Sequence, residues 1–474
     1  MPPVRSPATS GGILGSFVSL GSSEIAARGV AFLATTYLTR ALGPDGFGIL
    51  GLATALCGYF AVAVRSGFDD VGARDVARRP DRVAEIAAGA TLVRLVLAAI
   101  AMLLVTLVAA LLPKPPVVRL VVVLTGLSFF SLALDTSWLF KGLGRNVRVG
   151  VALVSGQMLY AAIVVSVVRG PEDLIRVPLA QVAGELVTAA VLLLPLLHGG
   201  VRPDIRGGIA MVRASGFLML TRLLRTMIYT FGVVLIGLML GEFELGLYSA
   251  AYRFCFLLLA VAAALHVAFL PAFARVQDPT EYRGLAIRAI ELSAVVAVPF
   301  VVGGAWLAGP LLAAVFGAEY GAGAAPFRLL LLSIGFIFLH GTMHNLLLVL
   351  GRTRDETRII AVAAFINGVI SFLLIPRLGL VGAAFATALA EGFVVVLGLV
   401  VLARAGLRLP LWRVFPAIGA AGAMVLALQL LGPDRSLPLQ VGLGAVVYGA
   451  ALLIMRGVPP DIVTAFARHP RVVP

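Results

Sequence analysis

Six arginines stand inside or at the ends of long apolar runs: Arg28, Arg65, Arg94, Arg222, Arg225 and Arg253. Arg222 and Arg225 are three residues apart, with Tyr229 next along, so one helical face carries all three. Glu24 and Arg28, four apart, share a face in the same way. A guanidinium stays charged and presents a planar fork of donors that matches phosphate oxygens. Arg28, Arg222, Arg225 and Arg253 are therefore candidates for an anion site, with Arg65 read as an interfacial anchor. The acids Glu24, Asp135, Glu185 and Glu391 lie in similar surroundings and are candidates for ion coupling or for pairing. Asp135 continues a polar stripe with Ser128, Ser131 and Trp138, and Glu185 is spaced to meet Gln181. Both also suit polar contacts that hold helices together. His340 and His344 have the i,i+4 spacing of metal ligands, but no HExxH glutamate or third ligand accompanies them. They read as histidines satisfied inside a helical bundle. Cys57 and Cys255 both lie in apolar runs, which excludes a disulfide framework and a CxxC metal site. No metal or cofactor is expected. No Walker sequence, GxSxG elbow or extended loop for an active site is present, so the chain is not read as an enzyme.

The elements that must position these groups follow from composition. Of 474 residues, 60% are hydrophobic and only 13% are charged, yet the net charge is +14. Soluble proteins are about a quarter charged. No basic domain exists that would carry a nucleic-acid partner. About 20 apolar residues at 1.5 Å each cross a ~30 Å hydrocarbon core. Fourteen runs qualify: 13–41, 46–67, 83–112, 117–139, 147–168, 176–197, 212–240, 246–271, 285–308, 325–350, 357–376, 380–403, 411–431 and 437–456. The polar segments between them are too short to bury a core of their own. If these spans alternate, 23 of the 37 Lys and Arg fall on one side and 8 on the other, leaving the six above. That asymmetry places both termini inside, in the cytoplasm.

The chain also resembles itself. LGPDGFGILGLA at 42–53 aligns with LGEFELGLYSAA at 240–251. LGR at 143–145 aligns with LGR at 350–352, and AQVAGELV at 180–187 with ATALAEGF at 386–393, which brings Glu185 onto Glu391. Each match shifts the chain by six spans. Six is even, so both copies point the same way, a parallel repeat with its site between the halves. The expected fold is an all-α integral membrane protein of fourteen transmembrane helices. It divides into an N-terminal lobe at 1–211, a C-terminal lobe at 212–408, and two extra helices with a tail at 409–474.

RALGPDGFGILGLA resembles the R-x-LGP-x-x-FG signature of polysaccharide-synthesis exporters. IPRLGLVGAAFATALAE at 375–391 resembles their P-x-x-G-x-x-GAA-x-AT-x-x-x-E segment. The chain is thus similar to the O-antigen flippase branch of the multidrug/oligosaccharidyl-lipid/polysaccharide exporter superfamily. The resemblance implies two six-helix lobes forming a V that opens alternately to each side. It implies a polyprenyl-diphosphate-linked glycan as substrate, flipped from the cytoplasmic to the outer leaflet for cell-surface polysaccharide such as lipopolysaccharide. Polysaccharide polymerase and glycosyltransferases are the implied partners, and the cytoplasmic (inner) membrane the implied location. Related lipid II flippases carry arginines on their first, second and eighth helices, where Arg28, Arg65 and Arg253 fall here. In those relatives the last two helices help form a groove for the lipid tail. Lipid II flipping and cation-coupled drug export are the alternatives. An arginine-rich site suits an anion and counts against a cationic drug.

Overall fold

The computed structural model describes residues 10–65, 68–196, 202–276, 278–432 and 434–457. Arg5, Arg468 and Arg471, counted above in the charge asymmetry, lie outside them. The described residues are helical throughout, with no strand among them. The helices run α1 Ser10–Arg65, α2 Ala73–Arg78, α3 Val83–Leu111, α4 Pro116–Gly126, α5 Ser128–Leu134, α6 Ser137–Gly142, α7 Asn146–Val167, α8 Arg176–Leu193, α9 Ile205–Ala214 and α10 Gly216–Met239. They continue as α11 Glu242–Arg275, α12 Pro279–Trp306, α13 Ala308–Phe316, α14 Ala324–Val349, α15 Thr353–Leu378, α16 Leu380–Arg404, α17 Phe415–Leu431 and α18 Leu437–Ile454.

Thirteen helical segments among the described residues are long and apolar enough to cross a membrane. The first of them, Gly21–Arg65, has 45 residues. Unbroken it would reach about 68 Å, more than twice a ~30 Å hydrocarbon core. It is broken at Gly43, whose φ of 66° and ψ of 178° are outside the helical region, and Pro44 follows. A left-handed φ needs glycine, and proline cannot donate back into the preceding turn. The two spans expected at 13–41 and 46–67 are thus the two arms of α1. The span expected at 117–139 is not one helix. It divides into α4, α5 and the start of α6, with breaks at Leu127 and at Asp135–Thr136. The stripe expected to run from Ser128 to Trp138 is interrupted there. Asp135 faces a cavity, while Trp138 is buried in an apolar cluster with Phe68, Val76 and Phe140.

By its contacts the chain divides into two units, residues 1–249 and 250–474. The boundary between these units falls within α11. Helix α10, assigned from sequence to the second lobe, packs on α1.

The motifs of the repeat take matching backbone forms. Gly43 and Gly241, aligned above, both have positive φ, 66° and 149°. Gly144 and Gly351 are closer still, at 69° and 71°. In each LGR the arginine N–H donates back five residues at 2.8 Å, Arg145 to Phe140 O and Arg352 to Leu347 O. That is the 6→1 bond of a Schellman helix end, which explains the glycine. Within the first unit the 42–53 and 240–251 motifs also meet reciprocally. A Cβ on Gly48 would lie 2.0 Å from Glu242 O, and one on Gly246 would lie 1.9 Å from Pro44 O. Gly48 aligns with Gly246, and Pro44 with Glu242. The contact is therefore self-complementary, as across a two-fold axis.

Candidate functional site

The first unit holds a cavity of about 370 Å³, within the ~300–1,000 Å³ of small-molecule pockets. Its charged and polar lining is Glu24 and Arg28 from the first arm of α1, Arg65 and Asp69 at the end of the second, Arg94 from α3, Asp135, Ser137 and Lys141 around α6, and Gln157 from α7.

Most of these charges are already engaged. Arg94 is buried, and each of its three guanidinium nitrogens donates to a main-chain oxygen. Nε reaches Val64 O at 3.3 Å, Nη1 reaches Asp135 O at 2.5 Å, and Nη2 reaches Leu132 O. Leu132 and Asp135 are at the C-terminal end of α5, and Val64 is at that of α1. Carbonyls at helix ends lack intrahelical donors, and a cation there is favoured by the helix dipole. Arg94 thus closes two helix ends, with Phe68 under its guanidinium at 5.6 Å. Asp135 accepts from Ser137 N at 2.8 Å and from Ser137 Oγ at 3.2 Å, holding the turn into α6. Glu24 pairs with Lys141 at 3.4 Å, and Asp69 with Arg222 at 3.7 Å. Arg28 and Arg65 are exposed and form no ion pair with a described residue. Two guanidinium groups without an ion pair to a described residue, facing one cavity, can hold an anion with two or more oxygens, such as a diphosphate.

The sequence-level candidates separate as follows. Arg28, Glu24 and Asp135 line the cavity. Glu24 takes Lys141 as its ion partner, so it does not neutralise Arg28. Arg222 reaches the cavity edge through Asp69, and Arg225, one turn on, is half-buried outside the lining residues. Arg253 belongs to the second unit, exposed on α11. Glu185 accepts from Ser131 Oγ at 2.5 Å and Gln181 Nε2 at 3.0 Å, a bridge between α5 and α8 outside the cavity. Glu391 is wholly buried in the second unit, 3.4 Å from His340.

Residue reasoning missed Arg65, Arg94, Asp69 and Lys141. Lys141 was counted as a loop cation because the fourth span was ended before it, and Arg65 as an interfacial anchor because it lies at the end of the second span. The family resemblance had singled out Arg65, by an arginine on the second helix.

The fold and this charged cavity define a multi-pass membrane transporter of the multidrug/oligosaccharidyl-lipid/polysaccharide (MOP) superfamily. Within it, the chain belongs to the polysaccharide biosynthesis protein family, whose profile matches residues 13–277. The profile of the lipid II flippase MurJ matches residues 158–433. Among solved structures, a lipid II flippase MurJ in an inward closed conformation aligns with a TM-score of 0.76 at 12% identity, covering 94% of this chain and 100% of that one. A MOP superfamily transporter from Pyrococcus furiosus aligns with a TM-score of 0.56 at 15% identity, over 85% of this chain and 100% of that one. A MATE P26A mutant also gives 0.56 at 15% identity, over 84% and 98%. At these identities the structures share the fold. No curated protein sequence matches the chain significantly.

Proposed function

We propose that this protein flips a polyprenyl-diphosphate-linked oligosaccharide from the cytoplasmic to the outer leaflet, by alternating access, for cell-surface polysaccharide synthesis. The observation that carries the reading is the cavity of the first unit, where Arg28 and Arg65 face inward without ion partners. The diphosphate is the part of such a lipid that fits it, and the sugars and polyprenyl tail extend beyond. Membership of the polysaccharide biosynthesis family supports the glycan. Arg222, Arg225 and Arg253 are assigned to the same anion on a later stage of its path. Helices α17 and α18 are assigned to the lipid tail. They pack on α12 through Ala417, Ala421 and Met424, with Tyr448 donating to Val295 O at 2.8 Å. The location is the cytoplasmic membrane with both termini inside, beside the glycosyltransferases and polymerase of the same pathway.

A ligand of about two negative charges leaving an inside-negative cell gains roughly 4–5 kcal/mol per 100 mV. The membrane potential therefore favours outward flipping. The test is complementation. In a strain lacking its own polysaccharide flippase, the wild-type gene restores surface polysaccharide, while Arg28→Ala combined with Arg65→Ala does not, at equal membrane abundance. Full export by the double variant overturns the cavity assignment. A second reading, lipid II flipping, is favoured by the MurJ profile over residues 158–433. Rescue of cells depleted of their lipid II flippase, without restored polysaccharide, selects it.

A further inference from the structure

The second unit buries ionisable groups that no part of the anion cavity uses. Glu391 of α16 has no exposed surface, and its Oε2 lies 3.4 Å from Nδ1 of His340 on α14. A carboxylate beside a neutral imidazole is a net negative charge removed from water, which is unfavourable. One added proton makes the pair neutral overall. The pair is therefore built to hold one proton and to release it only when water or another base reaches it.

A second pair lies one turn along the same face of α14. His344 Nδ1 is 2.5 Å from Glu356 Oε1, on the first turn of α15. This pair is open: the His344 side chain is 44% exposed. It stands about 8 Å before the end of α14, at 1.5 Å per residue. His266 of α11 lies between the two. Its ring rests on Gly341, where a Cβ would come 1.9 Å from Cε1, so glycine is required for the approach. His266 Nε2 is 2.9 Å from Phe338 O, and its own carbonyl accepts from Asn345 Nδ2 at 2.7 Å. Three of the five histidines in the chain thus step along α14 from a buried acid to an open one.

Helix α12, packed on α14, carries Glu281, Arg283, Arg288 and Glu291, the last paired with Arg413 at 3.1 Å. Helix α12 brings Ser293, 3.2 Å from Thr342, and Tyr282, whose hydroxyl donates to Leu346 O at 3.3 Å. Helix α13 has no titratable residue, and Glu319 and Tyr320 lie at the far end of α14. On α15, Asp355 is paired with Arg352 and Arg358 beside Glu356, and Arg354 is on the same turn. On α16, Thr387 precedes Glu391 by one turn and is buried. Arg253, thirteen residues before His266 on α11, is about 20 Å along the helix. Asn367 and Ser371 are buried, with side-chain polar atoms that have no hydrogen-bond partner among the described residues. Around the Gly379 turn, Asn367 is as far from the turn as Glu391, and Ser371 as far as Thr387. Neutral donors and acceptors thus occupy the level of the acid.

We infer that Glu391 and His340 form a proton-binding site, that His266 and the His344–Glu356 pair connect it to water, and that this proton is coupled to transport. One proton comes from the aqueous phase and returns to it, and no other co-reactant is needed. The coupling part rests on the flippase reading, whereas the site itself does not.

Two measurements separate them. In the full chain in detergent micelles, ¹⁵N-histidine NMR is followed from pH 5 to 9, assigned with His266→Gln, His340→Gln and His344→Gln. The expected result is that His340 changes protonation within this range and that Glu391→Gln moves its midpoint by at least one pH unit. A His340 that keeps one protonation state throughout, or titrates identically in E391Q, overturns the site. If E391Q does not elute as a folded monodisperse species, Glu391→Asp serves the same comparison. In proteoliposomes, flipping of a fluorescent polyprenyl-diphosphate disaccharide is then measured with and without a pH gradient. The wild type is expected to respond at least threefold, and H340Q and E391Q not at all. A response to a sodium gradient alone, or wild-type flipping indifferent to pH, overturns the coupling while leaving the cavity intact. A wild type that does not flip the probe overturns the flippase reading and with it the coupling, and the NMR result then decides the site.

Discussion

Glu185 and Glu391 stand at the same position of the internal repeat, yet the two units use them differently. In the first unit Glu185 of α8 meets Ser131 of α5 and Gln181, two neutral groups. In the second unit Glu391 of α16 meets His340 of α14, an ionisable one. Both bridges join the fourth and sixth spans of their repeat. The first unit instead keeps its open charge in a cavity, around Arg28 and Arg65. The helical frame thus repeats while its polar contents do not. A frame is set by glycine turns and small residues in close contact, which tolerate few alternatives. A polar contact between two helices is satisfied by several side-chain pairs.

The frame is the first thing to break. Gly48→Val and Gly246→Val place a Cβ about 2 Å from a carbonyl oxygen, and neither is expected to give folded protein by size-exclusion chromatography. Equal yield from either would remove the reciprocal contact from the comparison. Arg94→Leu removes a donor from three carbonyl oxygens, of which Leu132 O keeps Asp135 N at 3.3 Å. At about 1–3 kcal/mol for each unmet buried group, the loss over the other two is roughly 2 kcal/mol or more. It should appear as a large drop in thermal unfolding temperature. The two arginines come next. A hydrogen bond to a charged group contributes about 1.5–3 kcal/mol, so Arg28→Ala and Arg65→Ala should each slow flipping of the diphosphate probe roughly 10- to 100-fold. Ser131→Ala sharpens the contrast between the two glutamates. It should cost about 1 kcal/mol and leave any pH response intact, whereas His340→Gln removes that response. Smallest are the half-exposed ion pairs, one from each unit: Lys141→Ala beside Glu24 and Arg413→Ala beside Glu291. Each should change thermal stability by about 0–1 kcal/mol.

Much of the architecture was legible in the residues. Apolar runs of membrane-crossing length survive into the structure within a few residues, as with the expected span 83–112 and the helix Val83–Leu111. The glycines of LGP, LGE and the two LGR motifs marked helix ends that the backbone makes with positive φ. Arg28 was identified as facing a polar site, and it lines the cavity. Lys141 was counted as a loop cation because the fourth span breaks at Asp135–Thr136 and continues as α6, and Arg65 was read as an anchor because it lies at the end of the second span. Nothing in the run SLALDTSWLF stands out as a helix breaker, as a proline or glycine would. The break is held locally by Asp135 accepting from Ser137, and from outside by Arg94 reaching across from α3 to the exposed carbonyls. His340 and His344 were read as satisfied histidines. Their partners Glu391 and Glu356 sit 51 and 12 residues away on other helices, where spacing along one helix carries no signal.

By itself the sequence determined that this chain crosses the membrane many times, where most of its cations must lie, and that its two halves share a plan. Those properties follow from local hydrophobicity and from glycines whose need is local. Which charges neutralise one another was decided only by tertiary structure. Arg94 spends its donors on carbonyls, Lys141 takes Glu24, and Glu391 takes His340. In a low-dielectric interior a charge is governed by its nearest partner, and that partner lies on another helix.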